Sequence, residues 1–140
     1  MSGPAIGAEQ ALEAALLARL AEDADVKAAL GQAPRVFDAA EAKPLLPYLE
    51  IARHTWAPAG GAEAEASEHR VDIAILSRVG GRTEVRAALA AARAALASGL
   101  EMAGWRCVLL APIYADTLAA RPGMYRALLR VKAIIEPVAI

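Results

Sequence analysis

The sequence is short of both reactive and bulky residues. Cys107 is its only cysteine, which excludes an internal disulfide and any cysteine-cluster metal site and suits folding in a reducing cytoplasm. Rings are scarce: Phe37, Tyr48, Trp56, Trp105, Tyr114 and Tyr125 are all of them. No uncharged apolar run approaches the roughly 20 residues of a spanning helix, and the uncharged stretch Cys107–Ala115 reads as strand or loop. The N-terminus carries neither a basic region nor a cleavage motif, so no secretion signal is expected. A charge excess is missing too. Lys and Arg number 15 against 16 Asp and Glu, a net charge of -1, whereas a dedicated nucleic-acid binder is basic over a whole face.

What remains is a chain of 140 residues, 57% of them hydrophobic and many of those alanine. That length predicts one domain, 1–140, with a single core of ordinary size. A core rich in alanine favours close backbone approach. It also leaves mildly apolar surface to cover, which suits an oligomer better than a monomer.

Periodicity divides the chain. Leu12, Leu16, Leu17 and Leu20 form the apolar stripe of a helix from about Ala8 to Leu20, with Glu9 and Glu13 near its N-terminus. Asp23 or Asp25 caps a second, short helix through Val26 and Leu30 that ends at Gly31. Pro34 opens an extended piece over Arg35-Val36-Phe37, and Pro44 and Pro47 mark irregular backbone. Tyr48–Ala57 reads as a long strand, Pro58–Ser67 as a loop with Glu63 and Glu65, and Glu68–Arg78 as the second strand of a hairpin. In that strand Val71, Ile73 and Ile75 share one face, while Arg70, Asp72 and Ala74 share the other. Beyond Gly80-Gly81 the period becomes helical over Thr83–Ala97, with Val85, Leu89, Ala92 and Leu96 in line. Strands follow over Trp105–Ile113 and Met124–Glu136, separated by breakers from Ala119 to Gly123. The pattern predicts an α+β fold: a mainly antiparallel four-stranded sheet with helices packed on one face.

Chemistry is harder to find. His54 and His69 fall on neighbouring strands and are expected to face each other, but neither lies in a spaced ligand motif, and zinc takes three or four committed ligands. They read as residues of a polar face. Cys107 sits in an apolar strand where a thiol behaves as a small hydrophobe. Gly80-Gly81, flanked by Arg78 and Arg82, lacks the further glycine or the Gly-Lys-Ser/Thr of a phosphate loop and reads as a tight turn. Arg82, Arg86 and Arg93 lie along one flank of the long helix, and Arg126, Arg130 and Lys132 share a face of the last strand. Each set is either a solvated face or a grip on acidic groups of another subunit, with Glu63, Glu65 and Glu68 as candidates. Ala87, Ala90, Ala91 and Ala94 make a smooth helix face that either admits another backbone or lies exposed. Trp56, beside the loop, is a core lid or an interface anchor.

Several phrases, in order, resemble a known family. Arg35-Val36-Phe37-Asp38 and Pro47-Tyr48, then Glu68-His69-Arg70, Ser77-Arg78 with Gly80-Gly81-Arg82, and the basic strand Arg126–Lys132 are similar to the small tail-terminator (tail-completion) proteins of long-tailed phages and gene transfer agents. The resemblance runs from about Leu12 to Glu136; Leu76 stands where a tryptophan is expected. It implies a subunit, made in the bacterial cytoplasm, that closes into a homo-hexameric ring on the last tail-tube ring. The other face of that ring meets the head-side connector or stopper protein. DNA passes through the lumen without being read, and no catalysis, cofactor, metal or membrane is involved. The loop Pro58–Ser67, with Glu63 and Glu65, would then meet the tube or connector, Arg82, Arg86 and Arg93 would serve contacts between subunits, and Trp56, Arg126 and Arg130 would belong to a subunit or partner interface. Three other readings stand beside it: another neck protein such as a stopper, a generic dimeric adaptor, and a small metal-dependent enzyme using His54, His69 and Cys107.

Overall fold

A computed structural model describes residues 7–31, 36–37, 46–59, 65–78 and 82–138. The order is α1 (Ala8–Glu22), α2 (Ala24–Leu30), β1 (Val36–Phe37), β2 (Tyr48–Pro58), β3 (Ser67–Ser77), α3 (Arg82–Leu96), β4 (Trp105–Arg121) and β5 (Met124–Pro137). The fold is α+β, as expected. Its four long strands are antiparallel, and the short β1 adds a parallel pairing at Leu49 and Glu50 to give the order β1-β2-β3-β5-β4. The helices lie on one face.

Local chemistry sets the boundaries. Asp23 caps α2, its Oδ2 accepting from the backbone N–H groups of Asp25 at 3.1 Å and Val26 at 3.0 Å. Gly31 closes the helix with φ 113°, a backbone conformation that glycine adopts without Cβ strain. The Ser77 hydroxyl donates to the Glu84 carboxylate, tying the end of β3 to the first turn of α3.

The core lies between the sheet and the helices. Leu12, Leu16 and Leu20 of α1, Val26 and Leu30 of α2 and Val85 of α3 close over Ile73, Ile75, Leu129 and Ile135. Full burial of such a side chain stabilises by about 1.5–3 kcal/mol. Ala88, Ala92 and Ala95 of α3 are buried as well, so this helix meets the core through methyl groups and its backbone comes close. The alternation in β3 holds for Val71, Ile73 and Ile75, yet Asp72 and Ala74 on the opposite side are also buried. Cross-strand neighbours cover them there.

One element is longer than its sequence suggested. The third long strand does not end at Ile113 but runs to Arg121, with irregularities between Cys107 and Leu109, Pro112 and Tyr114, and Ala119 and Arg121. Pairing with β5 imposes the extended backbone on residues of little strand preference, and an edge strand tolerates Pro112 beside a bulge.

Candidate assembly surface and a buried histidine chain

The two histidines meet, but not on a polar face. In the β2–β3 register His54 lies opposite Val71 and His69 opposite Trp56, on the side covered by α1. His54 Nε2 is 2.7 Å from His69 Nδ1, His54 Nδ1 is 2.7 Å from Glu13 Oε2, and His69 Nε2 is 2.7 Å from Ser67 Oγ. His69 is wholly buried and the His54 side chain nearly so. The expectation that they belong to a polar face is therefore corrected: both lie on the core side, and their burial is tolerated because each ring nitrogen has a partner. Trp56 stacks on His69 with centroids 6.0 Å apart while leaving 55% of itself exposed.

This chain is poorly built for catalysis. Burial, and then the neighbouring His54, push His69 down to about 4. An imidazole that weakly basic is far from the range useful for proton abstraction near neutrality, and its serine partner Ser67 is buried. Nor do the histidines form a shared metal centre, because both nitrogens of His69 already have partners. Glu9, Glu13 and His54 do bring ligand atoms within 4.8 Å of one another. A cation there would have to displace the proton held between His54 Nδ1 and Glu13 Oε2. Cys107 is half-buried, and burial raises its thiol pKa, which suits an inert residue.

The helix-free face of the sheet carries the charge. Register aligns Arg53, Asp72, Arg130 and Tyr114 in a row across β2, β3, β5 and β4. Arg130 grips Asp72 through two hydrogen bonds, Nε to Oδ1 at 2.6 Å and Nη2 to Oδ2 at 3.0 Å. Its guanidinium also lies 5.2 Å from the Tyr114 ring centroid. The Tyr114 hydroxyl donates to Asp116 Oδ2 at 2.8 Å, and that hydrogen bond holds the phenol pKa above its ordinary value. Glu68 accepts from Arg70 and pairs with Lys132 at 3.3 Å, and its pKa is lowered chiefly by the Lys132 hydrogen bond. Arg130 and Glu68 are thus engaged within their own chain, with partners that sequence spacing did not single out.

Other expected contact residues are scattered. Arg82, Arg86 and Arg93 are exposed along α3, with Arg82 5.9 Å from the Tyr125 ring centroid. Arg93 borders a cavity of about 190 Å³ with Leu110, Pro112 and Val131. Arg126 is half-buried on β5. Glu65 is exposed beside the hairpin, whereas Glu63, Gly80 and Gly81 lie outside the described residues. Of the alanine face, Ala91 is half-buried and Ala87, Ala90 and Ala94 are exposed beside Ala28 and Ala29 of α2.

Sequence reasoning passed over the apolar exposure of β4. Val108, Leu109, Ile113, Tyr114 and Leu118 all face solvent there, and Trp56 does so on β2. The remaining large exposed hydrophobic, among the described residues, is Val138. No described helix is long and apolar enough to cross a membrane.

Known proteins give this surface a context. No curated protein matches the chain. Among solved structures, one chain of "Virion of native gene transfer agent (GTA) particle" is similar at TM-score 0.80 and 28% identity, covering 91% of this chain and 96% of that one. The profile of the family described as "Tail completion protein gp17" matches residues 14–136. With nearly its whole folded length matched, the chain belongs to the tail completion protein gp17 family and is a structural, non-enzymatic protein.

Proposed function

We propose that six copies of this protein close into a ring that caps the tail tube of a phage or gene transfer agent and joins it to the head-side connector. The observation that carries the reading is the pairing of family membership with large apolar side chains left uncovered along the sheet edges. A monomer gains nothing from that exposure, whereas a closed assembly buries it. The near balance of charge suits a conduit, because many cationic contacts to phosphate would hold DNA in place by counterion release. The end of the β2–β3 hairpin, with Glu65, meets the tube or the connector ring, and Trp56, Arg82, Arg86, Arg93 and Arg126 face neighbouring subunits. The protein is made in the cytoplasm and leaves the cell as part of the particle.

Electron micrographs of particles produced without the protein test this role. Abnormally long tubes are expected; tails of normal length, joined to heads, would reject it.

A further inference from the structure

The sheet has two open edges among the described residues. One is β4, whose outer side pairs with nothing along its length. The other is β2 beyond Glu50, because β1 covers only Leu49 and Glu50. The two edges are matched in direction: β2 runs antiparallel to β3, β3 to β5, and β5 to β4. A second copy related by rotation about an axis along the strands therefore presents its β2 antiparallel to the first copy's β4. Such a contact uses a different surface on each partner, and repeating it closes a ring when the rotation divides a full turn.

Register irregularities limit where the edges can join. β2 is irregular between Ile51 and Arg53 and regular from Arg53 onward, while β4 is regular from Tyr114 to Ala119. The faces must also correspond. Arg53, Thr55 and Ala57 lie on the helix-free face of β2, and Tyr114, Asp116 and Leu118 lie on that face of β4. Resting on the ring reading above, we propose that Arg53–Ala57 of one copy pairs antiparallel with Tyr114–Leu118 of the next, with Thr55 opposite Asp116. This places Arg53 diagonal to Asp116, within reach of a long side chain.

Charge supports the match. Within one chain the row reads Arg53, Asp72, Arg130 and then Tyr114 hydrogen-bonded to Asp116. In the proposed register the next copy's Arg53 stands opposite Leu118 and diagonal to Asp116, offering a positive charge to the carboxylate at the end of this row. Arg53 has no ion pair among the described residues, and Asp116 Oδ1 is buried with no hydrogen-bond partner. On the other face Trp56 falls opposite Ala115, a large side chain against a small one.

Charge exchange tests the pairing, with native mass spectrometry of the purified protein and micrographs of particles as readouts. Arg53→Asp and Asp116→Arg should each lower the ring population about tenfold or more by placing like charges together. The chain carrying both changes should restore it. Far-UV circular dichroism and a thermal melt establish that each variant keeps its fold, as expected for substitutions on strand edges. If wild-type rings form and both single variants form them equally well, the edge pairing is wrong and the ring reading stands. If wild type forms no ring, either free or on particles, both fall together.

Discussion

The centre and the rim of the sheet are built to different standards. β3 and β5 pair without interruption from Ser67 opposite Ile135 to Ser77 opposite Tyr125, and Ile73, Ile75, Leu129 and Val131 on them are buried. β4 is longer, yet it is interrupted at three places and leaves five large apolar side chains in solvent. The difference lies in what each strand has beside it. A central strand is covered by two neighbours and a helix layer, so its side chains are selected for packing. An edge strand has one neighbour, and its irregularities and exposed groups cost the monomer little. Stability therefore belongs to the centre, and the rim is the part left open for the contacts proposed above.

The strongest way to break this contrast is at the centre. Ile73→Ala removes a wholly buried side chain beneath the helices and is expected to lower unfolding stability by about 2–5 kcal/mol. Chemical denaturation of the purified protein checks it. A loss below about 1 kcal/mol would show that the centre is no better packed than the rim.

A second, smaller effect concerns the buried histidine at the boundary between the two regimes. His69 falls from an ordinary 6.5 to about 4 on folding, with Trp56, His54 and Ser67 around it and Glu13 beyond His54. A depressed folded pKa means that the unfolded chain binds the proton more readily. The contribution of His69 is complete above pH 6.5 and is lost as pH falls toward 4. The pH drop from 7 to 4 should cost up to about 3 kcal/mol through this residue alone. His69→Gln cannot titrate and should flatten the pH profile of the denaturation midpoint by a similar amount. An unchanged profile would place the acid sensitivity elsewhere.

Sequence pattern reached the centre of the molecule more readily than its rim. The stripe of α1, a cap at Asp23 or Asp25, the helix after the double glycine and the alternation in β3 were all legible, because each rests on residues within one or two turns of one another. The second half of β4, Tyr-Ala-Asp-Thr-Leu-Ala-Ala-Arg, was not. Its strand conformation comes from hydrogen bonding to β5, and an edge strand need not alternate cleanly. The histidine chain was half legible: neighbouring strands brought His54 and His69 together, but Glu13 lies on a helix 41 positions away from His54. The Arg130 grip on Asp72 spans 58 positions, and only the strand order reveals it. Long-range pairing of this kind leaves no local periodicity to read.

The smallest expected effect on folding is the sharpest on assembly. Ile113 sits at an irregularity of β4 with 45% of its surface exposed, so Ile113→Ser removes little buried area and should change unfolding stability by less than about 0.5 kcal/mol. If the rim exists for contact, the same substitution should reduce incorporation of the protein into particles, measured by immunoblotting purified particles against total cell protein. Leu118→Ser, further along the same edge, should act likewise. Stability unchanged with incorporation lost separates the two regimes cleanly. Stability lost at Ile113 as at Ile73 would mean that the edge is part of the core after all. Normal incorporation of both variants would remove β4 from the contact surface.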